Sequence, residues 1–278
     1  MHDHKPSRTA LRVGMRRAAH QLLDRPSVFD DPLAVAIAGA ASEILADASG
    51  SSDTLRAFVA VRSRYAEDEL AKAVGSGVRQ YVVLGAGLDT FVFRNPHAGR
   101  GLRVFEVDHP STQNWKLEQV KAAGIHIPPE ATFVPLDFEK EPLTEVLEAA
   151  GLSSQEPVFF SWLGVVPYLT DQAFMATLEF IAARPPASGV VFDYGVARSA
   201  LTPSEQIALD SLARRVAAAG EPFRLFFEPH DLAIRLREVG FRHVEDLGSP
   251  EINARYFADR ADGLRLRGGL ARLVSAQV

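Results

Sequence analysis

Val82-Val83-Leu84-Gly85-Ala86-Gly87-Leu88-Asp89-Thr90 (residues 82–90) is a short apolar run that ends in a G-x-G turn. Its apolar part suits a strand covered on both faces. Glycine lets the backbone turn sharply, and lets a ligand lie against the main chain with no Cβ in the way. A G-x-G alone is a weak signal, since plain turns use glycine too. Its surroundings strengthen it. The next run, LRVFEVD (102–108), ends in Glu106-Val107-Asp108 and places a carboxylate 21 residues beyond Gly87. At that spacing an acid at the tip of the second strand accepts hydrogen bonds from ribose hydroxyls. A third run, TFVPLDF (132–138), ends in Asp137 and Phe138. An acid and a ring there can hold an adenine. The other reading is a helix N-cap by Asp137 with Phe138 in the core.

Working outward, PVFFSWLGVV (157–166) and GVVFDYG (189–195) are two more buried-strand runs, with helical stretches at 111–123, 142–150 and 171–183 between the strands. This alternation predicts an α/β fold with a doubly wound, mostly parallel sheet over 80–195. Residues 229–239 read as a helix, followed by RHVEDLG (242–248), an irregular charged stretch, and LARLVSAQV (270–278). The two apolar pieces look like a terminal antiparallel pair in segment 229–278, which brings the sheet to seven strands. Residues 1–75 form an N-terminal helical extension with helices at 10–23, 32–45 and 54–74, and a polar loop at 47–54. Residues 197–228 read as a helical insertion before the last two strands and a candidate lid. The whole of 1–278 is expected to be one domain.

Two ligands share the geometry of the glycine turn: dinucleotides and S-adenosylmethionine. A dinucleotide's pyrophosphate sits on a helix N-terminus and asks for G-x-G-x-x-G. Here position 90 is Thr, and Asp89 lies at the helix start. A carboxylate there repels a pyrophosphate, whereas the donor's ammonium and sulfonium tolerate it. The charge sign favours S-adenosylmethionine.

Bulk properties narrow the classes. The chain has 278 residues, 47% of them hydrophobic, a net charge of -5 and no Cys. Disulfides, thiolate nucleophiles and Cys-ligated metals are excluded. An acidic balance gives no footprint for nucleic acid, and no run of about 18 apolar residues spans a membrane. A cytoplasmic location is the expectation. Arg8, Arg12, Arg16 and Arg17 sit at helical spacing, as a solvated helix face or as part of a targeting presequence. No metal site is expected, since His2, Asp3 and His4 lie at the very terminus.

With these residues in view, the chain resembles the leucine carboxyl methyltransferase family, including its bacterial branch of S-adenosylmethionine-dependent and polyketide O-methyltransferases. The resemblance rests on SRTA (7–10), FDDPLA (29–34), VRSRYAEDEL (61–70), VVLGAGLDTFVFR (82–94), FEVDHP (105–110) with Lys116, PLDF (135–138) and WLGVVPYLT (162–170). It implies a class I, Rossmann-like methyltransferase fold with S-adenosylmethionine as methyl donor. Gly85, Ala86 and Gly87 would line its methionine part. Asp108, with Glu106 as second choice, would bind the ribose, and Asp137 with Phe138 the adenine. Arg64 first and Arg62 second would pair with the donor's carboxylate. The family's pattern has Glu-Gly after the tryptophan, where this chain has Leu163-Gly164, so the donor contact at Leu163 is open. Trp162 and Tyr168 are candidates for contact with the acceptor; Tyr168 either orients it or packs.

Methyl transfer to a carboxylate needs no base, whereas a hydroxyl acceptor does. His97, His109, His230 and His243 are not at positions that insist on that role, and none is assigned as a base. An oxygen acceptor, a carboxylate on a small molecule or peptide, is therefore expected. The alternatives are a hydroxyl on a polyketide-like metabolite, or an NAD(P)-binding oxidoreductase. The missing third glycine and the absence of Tyr-x-x-x-Lys argue against the latter.

Overall fold

The computed structural model describes residues 7–49, 52–138, 141–218 and 220–278. His2, Asp3 and His4, and residues 50–51 of the polar loop, lie outside them.

Helix α1 (Arg8–Leu23) starts where Ser7 Oγ accepts the Ala10 N–H at 3.2 Å. The expected second helix is divided into α2 (Pro32–Ala38) and α3 (Ala41–Ser49). Gly39 between them takes a φ of 120°, which ends the first piece. Helix α4 (Asp53–Gly75) buries Phe58, Val61, Tyr65 and Leu70 against the sheet.

The strand–helix alternation then begins: β1 (Gln80–Leu84), the short α5 (Phe91–Arg94), β2 (Arg103–Asp108), α6 (Pro110–Ala122), β3 (Ala131–Pro135), α7 (Leu143–Ala149), β4 (Val158–Trp162), α8 (Asp171–Ala182) and β5 (Gly189–Gly195). Helices α9 (Pro203–Ala218) and α10 (Pro229–Val239) precede β6 (His243–Leu247), and β7 (Ala271–Gln277) follows. The stretch expected to be irregular contains α11 (Ser249–Tyr256), started by Pro250 in its first turn and by Glu251 Oε2 accepting the Gly248 N–H at 2.9 Å.

The seven strands lie in the order β3-β2-β1-β4-β5-β7-β6. The first five in sequence are parallel, and β7 runs antiparallel to both β5 and β6. One face of the sheet carries Val82, Leu84, Val107, Phe160 and Phe192 against α7, α8 and α10. The other carries Tyr81, Val83, Val104 and Phe159 against α4, α5 and α11. Both cores are continuous apolar contact, which is why the strands read as unbroken apolar runs. Strand order reverses between β1 and β4, and in open α/β sheets ligands bind in the crevice outside the carboxyl ends at such a reversal. After β5, an extended segment ending at Phe227 folds back, with Arg224 and Leu225 donating to the Pro167 carbonyl at 2.7 and 3.2 Å. No described helix is long and apolar enough to cross a membrane.

Candidate active site

The chain turns out of β1 because Gly85 and Ala86 both donate to the Val107 carbonyl, at 2.8 and 3.1 Å. Gly85 has φ 65° and Gly87 has φ 53°, the left-handed region that disfavours side chains. A Cβ on Gly85 would collide with Val165, and one on Gly87 would sit 3.4 Å from Ala10. The turn is therefore walled by the segment after β4 and by α1, and a side chain at Gly85 would meet protein first.

Asp108 stands half-buried at the tip of β2. It accepts the Gly87 N–H through one oxygen and the His109 N–H, at 2.6 Å, through the other. Burial pushes its pKa up, against the pull of those two donors and Lys116. Each carboxylate oxygen has two lone pairs, so accepting capacity remains for a ligand diol. Glu106 lies two residues deeper and is 1% exposed, with Oε2 2.6 Å from Lys116 Nζ and Oε1 unpartnered. Burial pushes its carboxyl up to about 7, although Lys116 opposes the shift. Of the two acids, Asp108 is the one at the crevice.

Asp137 and Phe138 follow β3, both half-buried. Asp137 Oδ2 is 3.9 Å from His109 Nε2, and Phe138 packs against the core beneath. Helix α7 is preceded by Pro142, so Asp137 is not its N-cap.

The two candidate arginines separate. Arg64 points outward and pairs with Asp68 at 2.8 Å. Arg62 is 7% exposed and pairs with Asp193 of β5 at 3.0 Å, against Gly164. Of the two, only Arg62 reaches the carboxyl end of the sheet, at Asp193 of β5. Leu163 is half-buried and packs toward α4. Trp162 is not available to an acceptor. It is 1% exposed and stacked on Phe174 with ring centroids 5.6 Å apart. Tyr168 is half-buried after β4, with its ring 5.3 Å from Phe223 and its hydroxyl paired with Thr9. Burial pushes its pKa up.

Three further residues have roles that the sequence reading misjudged or missed. Arg17 is buried rather than on a solvated face. It pairs with Asp31 at 2.9 Å and Asp89 at 3.0 Å. Asp89 also accepts the Phe91 N–H at 2.7 Å, and its pKa is lowered because Arg17, Lys116 and Arg94 outweigh burial. Its charge is thus answered within the protein, which corrects the argument that an acidic turn faces the ligand. The third is Asp193, read only as strand interior. One signal was available for Arg62: it shares a helical face with Phe58, Tyr65 and Glu69, whereas Arg64 does not.

No histidine among the described residues stands ready as a base. His20 is buried and bonded to Asp24 at 2.7 Å, and His109 is turned onto Ser111 at 2.8 Å. His97 precedes β2 at its amino end, and His126, His230 and His243 are exposed. Among the described residues no three His, Asp or Glu side chains gather as metal ligands.

The carboxyl ends of the strands thus carry a glycine turn too tight for side chains, the half-buried carboxylate of Asp108, an acid and a ring after β3, and the Arg62–Asp193 pair at the β4–β5 edge.

A family model described as leucine carboxyl methyltransferase matches residues 10–182. The "Putative S-adenosyl-L-methionine-dependent methyltransferase YktD" of Bacillus subtilis (strain 168) is 31% identical, covering 95% of each chain. A Saccharopolyspora erythraea protein of the same description, without the YktD name, is 32% identical over 97% of this chain and 94% of its own. Among solved structures, a "putative methyltransferase" from Thermobifida fusca YX superimposes with a TM-score of 0.63 at 16% identity, covering 98% of this chain and 95% of its own. A DUF574 family protein from Streptomyces avermitilis MA-4680 gives 0.61 at 20% identity, over 87% and 94%. At these identities the structures speak for the fold.

Proposed function

Because the chain belongs to the leucine carboxyl methyltransferase family and is an S-adenosylmethionine-dependent methyltransferase, we propose that it methylates an oxygen, and that the oxygen belongs to a carboxylate of a small molecule or peptide. The bound donor supplies a methyl group already activated by its sulfonium. What remains for the protein is to hold, orient and keep water out. In this reading Asp108 accepts from the ribose hydroxyls, Asp137 and Phe138 hold the adenine, the turn at Gly85–Gly87 lines the methionine part, and Arg62 takes the donor's carboxylate. The extended segment 221–227 and the start of α1 act as the lid: Glu221 accepts from Ser7 Oγ at 2.9 Å and from the Thr9 N–H at 3.2 Å.

The observation that carries the carboxylate reading is the proton inventory beside Tyr168. Burial raises its pKa, so it keeps its proton at neutral pH. The two carboxylates that act on it are engaged elsewhere, Glu221 by Ser7 and Thr9 and Asp193 by Arg62 and Gly164. A hydroxyl acceptor would need a base there, whereas a carboxylate arrives ionised.

The test uses methyl-labelled donor against a panel of carboxylic acids, phenols and amines, with the product then exposed to mild alkali. A methyl ester releases labelled methanol and is the expected product. Its rate of formation stays nearly flat from about pH 6 to 9, above a carboxyl pKa of roughly 4. A base-stable product overturns the carboxylate assignment and leaves methyl transfer standing.

A further inference from the structure

Asp193 lies in β5, 4% exposed, where three elements meet. One oxygen receives Arg62 Nη1 from α4 at 3.0 Å, and the other accepts the Gly164 N–H from the segment after β4 at 2.5 Å. Gly164 has φ 73°, and a Cβ there would lie 2.7 Å from Arg62 Nη2 and 2.9 Å from Nη1. The guanidinium thus rests directly on the glycine backbone, a contact only glycine permits. Val165, the next residue, is the one that abuts Gly85. The cluster therefore borders the glycine turn.

A plain structural staple would explain the pair if both groups were used up by it. They are not. A guanidinium has five N–H donors and one is engaged by Asp193; a carboxylate accepts about four hydrogen bonds and two are taken. Acceptor and donors remain side by side at the carboxyl edge of β4 and β5. The pair is also net neutral, as is an amino-acid end with its ammonium and carboxylate. An arginine alone would take the carboxylate and leave the ammonium, in a desolvated place, without a counter-charge.

We infer that Arg62 and Asp193 form a docking pair for the donor's amino-acid end, with Arg62 taking the α-carboxylate and Asp193 the α-ammonium. Asp193 is then a donor-binding residue in its own right. From β5 it brings a carboxylate to the segment that follows β4. The inference rests on the proposed role of Arg62 and extends it.

Calorimetry with two ligands tests it: S-adenosylhomocysteine, and 5′-methylthioadenosine, which has the same nucleoside and thioether but no amino-acid end. Asp193→Asn is expected to weaken S-adenosylhomocysteine about tenfold, the scale of one charge-assisted hydrogen bond, and to leave 5′-methylthioadenosine unchanged. Arg62→Lys is expected to show the same selectivity, because the forked, bidentate geometry is lost. Retained 5′-methylthioadenosine binding doubles as the folding control. Equal weakening of both ligands, or none, in Asp193→Asn overturns the inference. If Arg62→Lys is selective and Asp193→Asn is not, the role of Arg62 survives and that of Asp193 falls. If the wild type binds the two ligands equally, both fall together.

Discussion

Asp108 accepts two backbone N–H groups and still has lone pairs for a ligand, so its removal acts twice. Asp108→Ala is expected to lower S-adenosylhomocysteine affinity at least tenfold, since each hydrogen bond to a charged group contributes roughly 1.5–3 kcal/mol. Calorimetry checks this beside Glu106→Gln, whose carboxyl is sealed against Lys116. A larger binding loss in the Glu106 variant would reverse the assignment of the two acids. Gly85 makes a different prediction. Its left-handed φ costs an L residue roughly 1–2 kcal/mol, and the added methyl overlaps Val165. Gly85→Ala should therefore lower the urea midpoint, and Val165→Ala in the same chain should recover part of the loss. No recovery would mean that the contact with Val165 is not what forbids the side chain.

At the scale of elements, α1 forms the near wall of the donor turn. Ala10, Gly14 and Arg17 share one face and meet Gly87, Leu88 and Asp89 in register. Its far end is tied to α4 through Asp24, which receives both forks of Arg56 at 2.9 Å and His20 at 2.7 Å. Burial pushes the Asp24 carboxyl up, but His20 and Arg56 outweigh it and hold the pKa at about 2, below its ordinary 3.8. A depressed carboxylate contributes stability that is fully present above the unfolded pKa and is lost as pH falls through the folded one. The contribution of about 2 kcal/mol should therefore fade between roughly pH 4 and pH 2. Urea titrations at pH values above and below that window should show the advantage of wild type over Asp24→Asn shrinking by this amount. A constant gap would mean that the tie carries no proton linkage. The near end of α1 depends on Glu221. Glu221→Ala should speed amide exchange at Thr9, while amides in the middle of β1 stay protected. Unchanged exchange at Thr9 would remove Glu221 from the proposed lid.

Across the whole molecule, what could be read in the sequence follows from how each part is stabilised. The strands were legible because both faces are buried and their apolar runs are unbroken; residues 82–84 and 189–192 are examples. Helix α11 was not, because SPEINARY is short and polar and buries mainly Ile252. The break at Gly39 lay inside an apolar pattern that continues on both sides of it. Asp108 and Asp137 were expected at or just beyond strand ends because the apolar runs stop there, and both stand there. Arg17, Asp89 and Asp193 were misread or missed because each is explained by a partner distant in sequence: Asp31, Arg17 and Arg62. Periodicity predicts which face is buried and not which charge will meet it there. The central claim concerns the geometry these partners create at the β1–β4 reversal. A crystal structure with S-adenosylhomocysteine bound tests it most directly. The predicted result has the ribose on Asp108 and the amino-acid end between Arg62 and Asp193. A ligand with its amino-acid end on Arg64, or lying outside the carboxyl edge of β1 and β4, would contradict it.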